Sequence, residues 1–322
     1  MNSALTMQVL EVAELAAIAA SEWNGRGDKT AADQAATEAM RQAFNAIDFS
    51  GRIVIGEGER DEAPMLFIGE ELGRGGEAID IAVDPLEGTN LCAMNRPNAL
   101  ATIAFAPKGS LLFAPDTYMW KIAAGQECVG HIDIDATPAE NITRVAERLG
   151  KPVGEVNVCI LLRSRHEELI EAVRAAGARV RLIDDGDVFG CIAAAVPDTG
   201  IDLYLGSGGS PEGVLAAAGL KAIGGMFMGR LDFSLDPHGA EKRERALKTA
   251  HVDIDAPLTM DLLVKGDEAV FIATGVTDGE MLRGVNTSSG SITTSSIIMD
   301  SSDKTVRFIT NTRRGESGKA HF

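Results

Sequence analysis

The stretch IDIAVDPLEGTN, residues 79–90, ends an apolar run with two carboxylates, a glycine and a threonine in close succession. Ile79, Ile81 and Val83 alternate with the residues between them, and alternation with a period of two predicts a β-strand. We expect this strand to end at Asp84. The Asp84 carboxylate would then lie at the tip of a strand.

The residues after this strand predict a turn that binds an anion. Pro85 fixes the direction in which the chain leaves the strand, and Gly88 permits close approach of the backbone. A helix is expected to begin at Gly88 and Thr89, with free N–H groups that bind a phosphate. Metal ions held by Asp84 and Glu87 would bridge to that phosphate.

Further acidic residues follow strands or glycine-containing loops elsewhere in the chain. Each of them alone has a simpler explanation as a solvated acid or a helix cap. Side chains at the carboxyl ends of neighbouring strands share one crevice, so together they predict a common site. A set of oxygen ligands without His or Cys favours Mg²⁺ or Mn²⁺ over Zn²⁺. The candidate metal ligands are Asp33, Glu57, Asp84, Glu87 and Glu212.

Two metal ions and a nearby hydroxyl predict hydrolysis of a phosphate ester. One ion would lower the pKa of a water molecule and the other would stabilise the leaving oxygen. Thr89 is too weak a base to act alone. Hydrogen-bonded to a carboxylate such as Asp33, its hydroxyl could accept a hydrogen bond from the water and pass the proton on.

The hydrophobic pattern predicts an α/β protein. From about residue 140, strand and helix patterns alternate, which implies parallel crossovers, and residues 269–310 return to strands and turns. Earlier segments predict a loop over 23–33, a helix over 34–47, a helix over 65–73 and a β-hairpin over 98–115 that turns at Lys108 and Gly109. The Met-rich segment 224–230 is expected to form a turn beside the core.

Composition limits the class of function. The formal net charge of −17 argues against nucleic-acid binding but permits a phosphorylated substrate when cations lie between protein and substrate. No window approaches the roughly 18 to 20 uncharged apolar residues of a membrane span. Glu11 and Glu14 interrupt the apolar N-terminal segment, which predicts an amphipathic helix in a cytoplasmic protein. The four scattered cysteines are expected to be reduced core thiols.

Six motifs together identify a family resemblance. They are GRGDKTAAD, IVIGEGERDEAPMLFIGEELG, AVDPLEGTN, APDTYMWK, DDGDV and GSGGSPEG, in this order. The chain resembles the class II fructose-1,6-bisphosphatases of the GlpX type over most of its length, least so over residues 230–265. The wider lithium-sensitive phosphatase superfamily usually has Asp at the position of Glu87, so this glutamate favours the class II group.

The resemblance implies a layered α/β/α/β/α sandwich of the sugar-phosphatase type and metal-dependent removal of the 1-phosphate of fructose 1,6-bisphosphate. An N-terminal metal- and phosphate-binding domain is expected over residues 1–140 and a C-terminal sugar-binding domain over 141–322. Residues 250–322 could pack back on the N-terminal sheet. A homo-oligomer, tetramer or dimer, is expected from the family.

Residue roles follow from the resemblance by position. Asp33 and Glu57 would hold one Mn²⁺ or Mg²⁺ ion, and Asp84, Glu87 and Glu212 would hold the other. The residues expected to contact the substrate are Glu87, Gly88, Thr89, Tyr118, Arg163, Ser164, Arg165, Asp185, Gly186, Asp187 and Gly209. Lys29 is a further candidate for contact with phosphate or water. His166, at the start of a helix, is expected on the surface.

Other functions stay open at this point. The chain could also hydrolyse sedoheptulose 1,7-bisphosphate, or it could be a broader hydrolase like the inositol monophosphatases, which the basic pair Arg163 and Arg165 opposes. A non-catalytic phosphosugar-binding regulator on the same scaffold is a third possibility. The glycines of GSGGSPEG lack the Gly-Lys-Ser/Thr ending of a nucleotide-binding loop.

Overall fold

The structure is a computed structural model, and it describes residues 2–58, 65–249, 252–288 and 290–314. The helices of these ranges are α1 (Ser3–Ser21), α2 (Lys29–Phe44), α3 (Thr89–Ala93), α4 (Pro138–Leu149), α5 (Glu167–Ala175), α6 (Asp187–Ala193), α7 (Ser210–Ile223), α8 (Gly239–Thr249) and α9 (Met260–Leu263). The strands are β1 (Ser50–Ile55), β2 (Glu71–Leu72), β3 (Ala78–Glu87), β4 (Leu100–Pro107), β5 (Tyr118–Ala124), β6 (Asn157–Leu161), β7 (Arg179–Ile183), β8 (Leu203–Gly209), β9 (Met226–Asp232), β10 (Leu258–Thr259), β11 (Val270–Gly275), β12 (Asn286–Ser288), β13 (Ser291–Asp300) and β14 (Thr305–Arg314).

The strands form two mixed sheets. The larger sheet has the order β12-β13-β11-β4-β3-β1-β2, with β14 also paired with β13. The smaller sheet has the order β10-β9-β5-β8-β6-β7. β6 is parallel to both β7 and β8, as the predicted crossovers require.

Three hydrophobic cores hold these sheets and the helices together in layers. α1 and α2 share one core with the larger sheet, α6 and α7 share a second with both sheets, and α4 and α5 share a third with the smaller sheet. The order of layers is therefore helix, sheet, helix, sheet, helix, which confirms the predicted α/β/α/β/α sandwich. α7 lies in the middle layer, where it is buried almost all round.

Several local predictions were wrong. Residues 65–73 do not form a helix, because Leu66 and Gly69 have φ of +51° and +89° and β2 follows directly. The predicted hairpin over 98–115 is absent, because β4 pairs with β3 on one edge and β11 on the other and has no edge for a second hairpin strand. Residues 226–230 of the predicted Met-rich turn belong to β9 instead.

The strands after residue 270 belong to the larger sheet, together with β1–β4, and β5 belongs to the smaller sheet. The predicted domain division at residue 140 stays a prediction. The cysteines at 92, 128, 159 and 191 are buried and free, as expected.

Among the described residues, one helix, α1, is long and apolar enough to cross a membrane by length and composition. Its apolar residues instead pack against the larger sheet, and 61% of the segment is buried. Glu14 on this helix is 1% exposed and accepts hydrogen bonds from Thr294 Oγ1 at 2.8 Å, Asn311 Nδ2 at 3.0 Å and Arg313 Nη2 at 2.7 Å. A carboxylate thus fastens α1 to β13 and β14.

We expect Glu14→Ala to lower the free energy of unfolding by about 2 kcal/mol, because it leaves Arg313 without its buried partner. Glu11→Ala is the matched control, since Glu11 is 63% exposed and lies 3.7 Å from the same guanidinium, and it should cost less than about 0.5 kcal/mol. Urea unfolding of both variants measures the difference. Equal losses in the two variants would show that the buried contact does not anchor the helix.

Candidate active site

A bulge in β3 brings Asp84 and Glu87 to the same side of the larger sheet. Side chains of a regular strand alternate between faces, so residues three apart would point in opposite directions. Against β4, however, Asp84 pairs with Thr102 and Glu87 pairs with Leu100. The two pairs are three residues apart along β3 but only two residues apart along β4, so β3 contains one extra residue. Pro85 lies within this bulge, where no ladder hydrogen bond is required of it. The strand therefore runs through to Glu87 rather than ending at Asp84 as predicted.

The other acidic residues arrive from three different elements. Asp33 lies in the second turn of α2, which begins at Lys29 rather than at 34, because Asp28 caps it by accepting from the Ala31 N–H at 3.0 Å. Glu57 follows β1, and Glu212 is the third residue of α7. The structure therefore brings together residues from positions 33 to 212.

Two glycines make room for these carboxylates. A Cβ on Gly56 would lie 2.0 Å from the carbonyl oxygen of Leu66, so only glycine fits before Glu57. A Cβ on Gly209 would lie 2.0 Å from Glu212 Oε2. The Glu212 side chain thus folds back over Gly209, the last residue of β8.

All five acidic side chains line one cavity of about 310 Å³. Gly88, Thr89 and Asp185 line the same cavity. Thr89 is half-buried and begins α3, directly after Gly88 with φ of +84°. α3 has only five residues, so its dipole is short, but no side chain caps its first turn.

The cavity concentrates negative charge in a partly dehydrated space. Burial raises the pKa of each of the five carboxyl groups. For Glu57, burial together with the charges of Asp33 and Glu212 raises the pKa to about 8. Two pairs share hydrogen bonds between their carboxyl groups, Asp33 with Glu57 and Asp84 with Glu87. The raised pKa values favour the protonated form of these groups where no cation balances their charge.

The donor set fits a hard divalent cation. Within the described ranges, no three His, Cys, Asp or Glu side chains already stand in an arrangement that holds a metal ion. Glu212 Oε2 is buried with no hydrogen-bond partner, which is an open ligand position on the cavity wall. The five groups offer oxygen alone, as Mg²⁺ and Mn²⁺ prefer.

The basic residues expected to contact the substrate differ in their surroundings. Arg163 donates to Asp185 Oδ1 at 3.0 Å and also to the Asp184 carbonyl oxygen, so a carboxylate already balances its charge. Arg165 donates from Nη2 and Nε to the Ser207 carbonyl oxygen at 2.7 and 3.3 Å, and its guanidinium lies 4.9 Å from the Tyr118 ring centroid. Within the described ranges, Arg165 has no carboxylate at ion-pair distance.

The remaining predicted contact residues lie around the cavity to different extents. Gly186 and Asp187 are buried at the start of α6, while Ser164 is exposed. Lys29 is exposed at the first residue of α2 and is not among the residues that line the cavity. The roles of all these residues stay predictions.

Sequence reasoning missed Lys121, a fully buried cation beside the acidic cluster. Its Nζ donates to Asp187 Oδ2, and a Cβ on Gly208 would lie 1.8 Å from that oxygen. Burial alone would lower the pKa of Lys121, but the charges of Asp187 and Glu212 raise it. In the sequence, Lys121 could have been noticed as the single charged residue within the otherwise apolar strand MWKIAA.

His166 was predicted on the surface, and this was wrong. Its side chain is completely buried, with the ring 5.9 Å from the ring of Trp120. A single turn of 3₁₀-helix, Ser164–His166, directs the His166 side chain inward before α5 begins. So short a turn has no periodic pattern in the sequence that would indicate it.

Comparison with known proteins gives one family. A family model described as bacterial fructose-1,6-bisphosphatase, glpX-encoded, matches residues 3–313. The chain is 43% identical to the D-fructose 1,6-bisphosphatase class 2/sedoheptulose 1,7-bisphosphatase of Synechococcus sp. strain JA-2-3B'a(2-13), over 96% of this chain and 95% of that protein. The protein of the same name from Thermosynechococcus vestitus is 42% identical, over 96% of this chain and 95% of that protein. The one from Synechocystis sp. is also 42% identical, over 99% of this chain and 99% of that protein.

The crowded carboxyl groups predict how stability depends on pH. Because the pKa of Glu57 is raised to about 8 in the folded protein, the folded state binds more protons than the unfolded state between about pH 4.5 and 8. In excess chelator, the melting temperature should therefore fall as the pH rises through this window. Mg²⁺ should replace the protons and raise the melting temperature more at pH 8.5 than at pH 5.5.

Glu57→Gln is the control, because it removes the titrating group while keeping its size. In chelator, this variant should show a weaker decrease with pH than the parent protein. A Mg²⁺ effect that is larger at pH 5.5 than at pH 8.5 would contradict a site in which protons and cations compete.

Proposed function

The chain belongs to the family of glpX-encoded bacterial fructose-1,6-bisphosphatases, and from this premise we propose which residues carry out each part of the reaction. It is a phosphatase that hydrolyses the 1-phosphate of fructose 1,6-bisphosphate to give fructose 6-phosphate and phosphate, and its family depends on metal ions. Its place in metabolism would be gluconeogenesis or carbon fixation. The observation that carries the residue roles is the meeting of five carboxylates from four elements around Thr89 in one cavity.

Asp33 and Glu57 would hold one ion, and Asp84, Glu87 and Glu212 would hold a second. The hydrogen-bonded pairs Asp33 with Glu57 and Asp84 with Glu87 support this grouping. We propose Mg²⁺ or Mn²⁺, two ions for each site, from the oxygen-only ligand set. When bound, such ions make the phosphorus more electrophilic and lower the pKa of water.

The chain's own groups orient the reacting atoms. The Thr89 hydroxyl would accept a hydrogen bond from the attacking water, and Asp33 across the cavity would take up the proton. The backbone N–H groups at Gly88 and Thr89 would bind the phosphate that is cleaved. Val188 N–H donates to Glu87 Oε1 at 2.8 Å, which holds that carboxylate in place from the α6 side.

The sugar and its second phosphate would extend from this cavity toward the smaller sheet. Asp185 reaches the cavity wall, and Tyr118 and Gly209 are opposite each other where β5 and β8 pair. Of the two basic candidates, Arg165 suits the second phosphate better, because the charge of Arg163 is already balanced by Asp185.

A second candidate activity is hydrolysis of sedoheptulose 1,7-bisphosphate, which the names of the similar proteins from Synechococcus sp. and Thermosynechococcus vestitus include. A release assay over sugar mono- and bisphosphates, with Mg²⁺, Mn²⁺ and excess chelator, tests both activities. Broad hydrolysis of monophosphates would favour an inositol-monophosphatase-like specificity. Absence of turnover on every substrate would favour a non-catalytic phosphosugar-binding protein.

We also propose a cytoplasmic homo-oligomer, tetramer or dimer. Burial of α1 against the larger sheet supports a role for this segment as a core helix. The family supports the oligomer, which sedimentation measurements would test.

Replacement of Thr89 tests the water-orienting role. Thr89→Ala should fold, change KM less than about threefold and lower kcat by about 10²-fold, because it removes a contact made in the transition state. Thr89→Ser keeps the hydroxyl and should retain more activity. Phosphate release at saturating Mg²⁺ measures both, and equal rates for the two variants would exclude a role for the hydroxyl.

Replacement of Arg165 tests the second-phosphate contact. Arg165→Ala should raise KM for fructose 1,6-bisphosphate about tenfold or more, a loss of roughly 1.4 kcal/mol for each factor of ten. Turnover of 4-nitrophenyl phosphate, which has no second phosphate, should change little. Arg163→Ala should have a smaller effect on KM.

Arg174→Ala is the matched control, because Arg174 is exposed on α5 and has no role in the cavity. It should leave both activities unchanged. If Arg165→Ala lowers activity equally on both substrates, Arg165 does not discriminate the bisphosphate.

A further inference from the structure

The His166 ring lies between two strands of the smaller sheet. Its Nδ1 is 2.8 Å from the Leu161 carbonyl oxygen at the end of β6, and its Nε2 is 2.8 Å from the Ser207 backbone nitrogen in β8. The side chain has no exposed surface. The imidazole thus connects two neighbouring parallel strands through their backbone groups.

These hydrogen bonds define the tautomer. The Ser207 N–H can only donate, so Nε2 accepts, and Nδ1 must carry the proton that is donated to Leu161. Burial, with a further contribution from Arg165 and Arg163, lowers the pKa of His166. The ring is therefore a neutral connector with one donor and one acceptor.

The ring occupies a gap that the strands themselves create. β6 and β8 pair directly only at Val158 with Leu203 and at Cys159 with Tyr204. Beyond these pairs the strands separate toward their carboxyl ends, and the imidazole replaces the missing ladder contacts. A Cβ on Gly206, which has φ of +156°, would lie 3.2 Å from His166 Cε1.

The same backbone segment positions Arg165. The Ser207 N–H donates to His166, and the Ser207 carbonyl oxygen accepts from Arg165, so both side chains bind the backbone of one residue. Arg165 also lies against the Tyr118 ring. Movement of Ser207 would therefore displace the Arg165 guanidinium.

We propose that His166 is a positioning residue that fixes Ser207 and, through it, orients Arg165 toward the second phosphate of the substrate. This inference rests on the proposed role of Arg165. It assigns to His166 no contact with the substrate and no proton transfer.

Two amide substitutions of His166 test the roles of Nδ1 and Nε2 separately. The His166→Asn amide reaches the position of Nδ1 and can still donate to Leu161, but it leaves the Ser207 N–H without an acceptor. The His166→Gln amide oxygen reaches the position of Nε2 and can accept from Ser207. We expect His166→Asn to raise KM for fructose 1,6-bisphosphate about tenfold, with kcat changed less than about threefold, and His166→Gln to restore most of the affinity.

Turnover of 4-nitrophenyl phosphate should be unchanged in both variants. Gly206→Ala provides a second test, because the added methyl group would press on the His166 ring and the φ of +156° would also strain the backbone beside Ser207, without removal of any hydrogen-bonding group. It should raise KM for the bisphosphate in the same way. This variant decides the question if His166→Asn does not fold.

In the double variant His166→Asn/Arg165→Ala, KM should be no higher than in Arg165→Ala alone, because both changes remove the same contact. A normal effect of Arg165→Ala with unchanged KM in His166→Asn and Gly206→Ala would overturn this inference alone. Unchanged KM in Arg165→Ala would overturn the proposed role of Arg165 and this inference with it. Equal loss on both substrates in the His166 variants would show a structural role only.

Discussion

The active site depends on one irregularity, the bulge that places Asp84 and Glu87 on the same face of β3. A regular strand would send one of these carboxylates to the cavity and the other into the core shared with α1 and α2. The extra residue of β3 relative to β4 turns the Glu87 side chain to the same face as Asp84. It also brings Gly88 and Thr89 to the cavity, so the two carboxylates, the glycine turn and the hydroxyl share a single structural cause.

The bulge concentrates charge that the protein alone does not neutralise. Lys121 is buried beside Asp187 and Glu212 and balances part of it, but its ammonium group bonds to Asp187, which is not one of the five acids that line the cavity. Paired carboxyl groups and the unpartnered Glu212 Oε2 remain. Such an arrangement would lower stability in the absence of cations and would favour cation binding, because bound ions would relieve the repulsion between the carboxylates.

The hydrophobic pattern predicted an α/β protein and the acidic residues that line the cavity, and the family resemblance added the layered sandwich. Predictions failed where local pattern and tertiary structure disagree. The alternation of apolar residues with a period of two predicted β3 but not its bulge, because this alternation carries no information on the pairing register with β4. The apolar residues at 65–73 suggested a helix, although Leu66 and Gly69 take positive φ in a turn under Glu57. The hairpin after Lys108 failed because β11, about 160 residues later, occupies the edge of β4. Lys121 and His166 were missed because their roles come from burial, which residue type alone does not predict.

The two sheets divide the site, and this division connects reaction with specificity. Asp33, Glu57, Asp84 and Glu87 belong to the larger sheet and its helices, whereas Arg165, Tyr118 and His166 belong to the smaller one. Glu212 is carried from β8 toward the larger sheet by α7, which packs against strands of both sheets. Asn90 donates to Asp185 at 3.1 Å and Arg96 pairs with Asp184, so contacts from α3 and its following loop also join the halves. Under the proposed residue roles, the distance between the phosphate that is cleaved and Arg165 would therefore be determined by the packing of two sheets on one middle layer. This packing would then favour a bisphosphate whose length matches that separation.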